Sequence, residues 1–265
     1  MVGQCLTLAE YLFLCFSALM APPRRSIYLS IYLSIYLSIY SPPDAIVYLL
    51  PPPRANREVN YDYHANVRSP ISCGARLGQA MSITITGAAG FLGQRMMRLL
   101  AARGERLVLT DMHPLPTPPP PNATVLTGPL KQLLPQAITE DTAAVVHLAA
   151  VVSAGAEADF DLGYAVNVTT LQAVLERCRE VRSCPKLLFT SSLAVFGAID
   201  VATDASACQP SSSYGTQKAL GELLVNDYSR KGFVDGRTLR LPTVSPPCNP
   251  TRVHPATICI RPATP

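Results

Sequence analysis

Residues 82–93 read S-I-T-I-T-G-A-A-G-F-L-G. Ile83 and Ile85 alternate with Thr84 and Thr86, the period of a short β-strand. Gly87, Gly90 and Gly93 follow, and then Phe91, Leu92, Met96, Leu99 and Leu100 recur at helical spacing. The stretch predicts strand, tight glycine turn and helix. Such a turn aims the N–H groups of a helix start at a phosphate. Gly87 permits the turn, Gly90 lets the backbone approach a pyrophosphate, and Gly93 lets helix pack on strand. The spacing is G-x-x-G-x-x-G rather than the commoner G-x-G-x-x-G, and a glycine-rich hairpin or helix cap is the competing reading.

Working outward, Arg106–Thr110 reads as a second strand that ends at Asp111, 18 positions past Gly93. A carboxylate there accepts both ribose hydroxyls of NAD and repels the 2′-phosphate of NADP; the alternative is a solvated turn residue. Ala123–Thr127, Ala143–His147 and Lys186–Thr190 read as further strands, and Phe160–Cys178 reads as a helix with Val166, Leu171, Val174 and Leu175 on its apolar face. Short apolar runs alternating with helices call for an α/β fold, a Rossmann-type doubly wound parallel sheet whose ligand lies beyond the carboxyl ends of the strands. Ala149 and Ala150 are small where a cofactor passes close to backbone. His147 reads as a packed core residue. The fifth strand ends on Thr190, Ser191 and Ser192, which puts hydroxyls where chemistry belongs.

Residues 213–218 read S-Y-G-T-Q-K, and Leu220, Leu223, Leu224 and Tyr228 continue a helical period. Tyr214 and Lys218 therefore share a helix face. A Lys ammonium beside a phenol is expected to lower the phenol's pKa from about 10, which makes Tyr214 a general base near neutral pH. An exposed helical pair is the plain alternative. What favours chemistry is the order: glycine turn, acidic strand end, hydroxyl-bearing strand end, then Y-x-x-x-K.

That order, carried by T-G-A-A-G-F-L-G (86–93), H-L-A-A (147–150), T-S-S-L-A-V-F-G (190–197) and Y-G-T-Q-K (214–218), resembles the extended short-chain dehydrogenase/reductase family, the NAD-dependent epimerase/dehydratase group. The resemblance covers residues 82–245. It implies a catalytic set of Ser192, Tyr214 and Lys218, with Asn167 holding the active-site helix and a water near the Lys. It implies NAD held by Gly87, Gly90, Phe91, Leu92, Gly93, Asp111, Ala149, Ala150, Tyr214 and Lys218, with Pro242 and Thr243, at the end of a sixth strand, near the nicotinamide amide. Ser192, Tyr214 and Ser153, the last on a loop after the fourth strand, are the expected substrate contacts. A closer likeness over residues 151–163, 212–237 and 239–245 implies oxidation of a secondary hydroxyl of a small sugar acid. An epimerase or dehydratase acting on a nucleotide sugar shares the same triad, and an inactive NAD-binding fragment is the third reading. The family also implies a homodimer through helices 160–178 and 213–231.

Composition sets the outer limits. Hydrophobic residues make up 48% of the 265, enough for a core, and the formal charge of +4 gives no reason to invoke nucleic acid or an anionic membrane. Proline, 25 in all, clusters in residues 21–53, 114–121 and 242–265. Residues 1–80 contain an apolar run without the basic start of a signal peptide, then a tandem I-Y-L-S repeat too short and Ser-rich for a membrane span. They are expected to form a low-complexity, disordered extension. Residues 81–245 are expected to form the NAD-binding domain and 246–265 a Pro-rich irregular tail, so that the family's C-terminal substrate lobe is missing. The eight cysteines include no C-x-x-C pair, so no metal site is expected, and free thiols point to the cytoplasm.

Overall fold

In a computed structural model of the chain, Ser82–Thr86 forms strand β1, Phe91–Ala102 helix α1, Arg106–Asp111 β2, Ala123–Thr127 β3, Leu130–Ala137 α2 and Thr142–His147 β4. Then come Ser153–Ala158 (α3), Phe160–Tyr164 (α4), a π-turn over Ala165–Thr169, Thr170–Val181 (α5), Lys186–Ser192 (β5), a 3₁₀ turn over Leu193–Phe196, Ser213–Arg230 (α6) and Asp235–Leu241 (β6). The structure describes residues 81–198, 202 and 206–241, and the backbone of 243–245 and 257–259. The expected extension 1–80, Pro242 and most of the expected tail lie outside the described residues.

Six strands form one parallel sheet in the order β3-β2-β1-β4-β5-β6. The period-two pattern sorts side chains onto its two faces. Ile83, Ile85, Leu107, Leu109 and Val146 meet Met96, Met97 and Leu100 of α1 on one side. Val108, Val145, Leu187 and Phe189 meet Leu134 of α2, Leu171, Val174 and Leu175 of α5 and Val225 of α6 on the other. Each such fully buried side chain contributes on the order of 1.5–3 kcal/mol. Strand order reverses between β1 and β4, and this switch point opens a crevice at their carboxyl ends.

Several elements depart from the sequence reading. The expected helix 160–178 runs on to Val181 and is broken by the π-turn at Ala165–Thr169, a feature that concentrates at functional sites. Ser153 is the first residue of α3 rather than part of a loop. The sixth strand stops at Leu241, and Thr243 opens a separate strand, β7 (Thr243–Ser245), paired in parallel with β8 (Thr257–Cys259). The residue that follows Leu241 in the sequence is a proline, which has no N–H to donate to a ladder. The tail expected to be irregular thus contains a strand where residues 257–259 are free of proline. Cys178 and Cys208 are free thiols, but Cys184 is disulfide-bonded, against the expectation of thiols throughout.

Candidate active site

The glycine turn is locked against its neighbours. Gly87 adopts φ +74°, and a Cβ there would stand 2.7 Å from the Ala149 nitrogen. A Cβ on Gly93 would stand 2.2 Å from the Gly87 oxygen, so helix and turn touch backbone to backbone. The amides of Gly87 and Ala88 donate to the Thr110 carbonyl at 2.9 and 3.1 Å. Gly90 is exposed at the head of α1, and no side chain caps that helix start. Phe91 lies under the Arg95 guanidinium, 3.7 Å from its ring centroid. Asp111 ends β2 with its Oδ2 accepting from the Ala89 amide (2.9 Å) and its Oδ1 from the His113 amide (3.0 Å). A cradle that admits no Cβ, an uncapped helix start and a carboxylate fixed beside them fit the pyrophosphate and ribose of a dinucleotide.

Across the switch point, the Leu148 amide donates to the Thr86 carbonyl (3.1 Å) and the Ala149 amide to Thr86 Oγ1 (3.3 Å). Thr86 Oγ1 also pairs with His147 Nδ1 at 2.8 Å. His147 is buried, as the sequence suggests. Burial, with the Lys218 charge adding to it, drives its pKa from 6.5 to about 3. The folded state keeps the imidazole neutral while the unfolded chain protonates it near 6.5. Stability is therefore full above pH 6.5 and lost as pH falls toward 3. Between pH 7 and pH 5 this one group is expected to remove about 2 kcal/mol. Urea unfolding of wild type and His147→Asn at both pH values checks it; an equal pH dependence in the two proteins refutes it.

Three hydroxyls crowd the end of β5, and the structure separates their tasks. Thr190 Oγ1 donates to the His147 carbonyl (3.2 Å). Ser191 Oγ donates to Glu222 Oε1 (2.6 Å), and Glu222 in turn takes Arg240 Nε and Nη2 at 2.9 and 2.7 Å. Ser192 Oγ accepts from the Ala194 amide (3.2 Å) and lies near enough to the Tyr214 phenol to favour its ionised form. So Ser192 and Tyr214 meet, while the hydroxyls of Thr190 and Ser191 are spent on the scaffold. The Ser192–Tyr214 pair is held by the start of α6. Ser212 Oγ accepts from the Gly215 amide (3.0 Å), and Glu157 of α3 accepts from the Tyr214 amide (3.2 Å).

Lys218 is buried. Its Nζ donates to the Thr190 carbonyl at 2.9 Å and lies 5.0 Å from the Phe189 ring centroid and 5.6 Å from that of Tyr214. Burial lowers the ammonium pKa to about 8. The expected depression of the Tyr214 pKa by this Lys is not found. Burial pushes the phenol above its ordinary value, and the neighbouring Ser192 hydroxyl pulls against that shift. The cause is that the same apolar wall strips water from phenol and ammonium alike, and the ammonium points at a carbonyl.

Asn167 sits in the π-turn and is buried. Its Oδ1 accepts from the Val151 amide (2.9 Å), and its Nδ2 donates to the Val151 carbonyl (3.0 Å) and to Gln217 Oε1 (2.7 Å). Ser153 is exposed at the head of α3, which packs on α6. Pro242 lies outside the described residues, and Thr243 is described by its backbone alone. The sequence reading missed Glu222, Arg240, Glu157 and Gln217. All four work through partners 18 to 57 positions away, for which local periodicity carries no signal. Among the described residues no three metal-ligating side chains cluster, and no helix is long and apolar enough to cross a membrane.

A parallel sheet with its glycine cradle at the switch point, facing a Ser, Tyr and Lys gathered on one strand end and one helix, defines a Rossmann-type dinucleotide-binding fold. The chain belongs to the NAD dependent epimerase/dehydratase family, whose model matches residues 83–260. It is 52% identical over 180 residues to D-erythronate dehydrogenase of Cupriavidus necator, covering 62% of this chain and 56% of that protein. It is 43% identical over 194 residues to D-erythronate dehydrogenase of Haemophilus influenzae, covering 70% and 57%. Among solved structures it is similar to MoeE5 in complex with UDP-glucose and NAD, with a TM-score of 0.57 and 28% identity over 63% of this chain and 56% of that one. The chain spans little more than half the length of the curated relatives it matches.

Proposed function

We propose that this chain carries the NAD-binding and catalytic half of a dehydrogenase that oxidises the C2 hydroxyl of a small sugar acid such as D-erythronate. The Ser192 hydroxyl beside the Tyr214 phenol at the mouth of the crevice carries the chemical part of that reading. The two D-erythronate dehydrogenase relatives support the substrate class. Gly87, Gly90 and residues 91–93 hold the pyrophosphate, Asp111 the adenosine ribose, and Ala149 and Ala150 leave room for the cofactor's path. Pro242 and Thr243 border the nicotinamide amide.

When bound, NAD supplies the hydride acceptor for the C–H at the carbon undergoing oxidation. Tyr214, as phenolate, takes the hydroxyl proton of the substrate. Ser192 Oγ–H donates to the same oxygen and shares its developing charge. Lys218 spends one of its three N–H donors on Thr190 and turns its charge to the nicotinamide ribose and the phenolate. Asn167 holds the loop and helix that carry these groups, and Ser153 meets the rest of the sugar acid. Ser192→Ala is expected to lower kcat about 10²-fold with NAD affinity retained; kcat within twofold of wild type removes Ser192 from the mechanism.

The full chain, given NAD and D-erythronate, is expected to produce NADH in step with substrate lost. A second reading, conversion of a nucleotide sugar, draws on the likeness to MoeE5 bound to UDP-glucose. Conversion of UDP-glucose without net NADH selects it, and NAD binding with neither reaction marks an inactive fragment. Phe160, Leu162, Leu220 and Leu223, exposed on α4 and α6, support a homodimer through those helices. The same reading places the enzyme in the cytoplasm; the free thiols Cys178 and Cys208 speak for that and the Cys184 disulfide against it.

A further inference from the structure

We infer that Gln217 is a positioning residue that ties the substrate-side segment 151–153 to the helix bearing Tyr214 and Lys218; the inference rests on the proposed dehydrogenase reading. Gln217 lies one residue before Lys218 and is fully buried, at 0% exposure. It turns away from the crevice toward α4, where a Cβ on Gly163 would stand 2.6 Å from its Nε2. With a glycine at 163 the amide keeps this position; a larger side chain there would displace it.

The direction of the clamp follows from donor and acceptor chemistry. The Val151 backbone presents one N–H and one C=O to Asn167, so Asn167 must place its oxygen toward the first and its nitrogen toward the second. The remaining N–H of Asn167 then requires an acceptor, and Gln217 Oε1 provides it at 2.7 Å. Gln217 Nε2 is left without a hydrogen-bond partner among the described residues. A buried unpaired donor is costly. A Met at 217 fills similar volume and carries no such donor, so packing alone does not call for an amide here. What the amide adds is the acceptor for Asn167. Through it, a helix carrying the proton acceptor and a segment that opens onto Ser153 move as one body. The π-turn at Ala165–Thr169 is what carries Asn167 to that junction.

The test is Gln217→Met, with Gln217→Ala used if the first does not fold. Hydrogen exchange at the Val151 amide, read in a peptide covering 148–155, is expected to quicken at least tenfold. Exchange over 83–100 and NAD affinity are expected to stay within twofold of wild type. With D-erythronate, kcat is expected to fall about tenfold, and the double variant N167A/Q217M is expected to fall no further than the worse single one, as coupled residues do. Gln217→Glu, which keeps an oxygen at the same reach, is expected to restore slow exchange. Unchanged exchange over 148–155, or loosening spread evenly over 83–100, overturns the clamp. If wild type turns over no sugar acid, the functional reading fails while the exchange measurements still decide the clamp.

Discussion

Tyr214→Phe is expected to lower kcat for the sugar-acid oxidation by about 10³-fold while NAD affinity stays within twofold. The substitution removes one oxygen and leaves the ring where it packs, so the loss reports proton transfer rather than collapse of the site. The phenol is half-buried beside Ser192, and that burial has raised its pKa. Because the phenolate is the active form, wild-type kcat/KM is expected to climb through the alkaline range, and Tyr214→Phe to lose that climb. Stopped-flow NADH formation across pH, with calorimetric titration of NAD, measures both. Turnover within tenfold of wild type would sink the assignment of Tyr214 as the base.

The second large effect is expected at Gly87. Alanine there meets two penalties. Its φ of +74° costs an L-residue roughly 1–2 kcal/mol. Its Cβ would also press on backbone, 2.7 Å from the Ala149 nitrogen and 2.9 Å from the Leu148 carbonyl carbon, and overpacking of this kind costs about 1–3 kcal/mol. Gly87→Ala is expected to lose about 2–5 kcal/mol of unfolding free energy and all measurable NAD affinity. Gly104→Ala is the matched control, since Gly104 has φ +80° with nothing within 4 Å of an added Cβ. It carries the backbone cost alone and should bind NAD as wild type does. Equal losses in the two variants would mean that the close approach to Ala149 contributes nothing.

Much of this was legible in residues taken a few at a time. Alternation in 83–86, glycines at 87, 90 and 93, a carboxylate at 111 and the pair at 214 and 218 each declare a local backbone state or a shared helix face. Those states suffice for a parallel sheet with a dinucleotide cradle, because strand and helix periods are properties of short segments. Helix α2 escaped such reading, since Pro135 inside it removes an N–H and masks the pattern. The π-turn escaped too, because one inserted residue shifts the hydrogen-bond step without changing composition.

Local pattern declared the sheet, the glycine cradle and the roster of hydroxyl, phenol and amine side chains. The tertiary structure alone decided which member of that roster does what. Thr190 and Ser191 are equal to Ser192 as text, yet His147 and Glu222 consume their hydroxyls and leave Ser192 to face Tyr214. Lys218 and Tyr214 are neighbours on any helical wheel, yet burial sets their proton affinities against the simple expectation. The reason is physical. A buried polar atom must find its partner among whatever strands and helices the topology brings alongside, and its desolvation depends on everything packed around it.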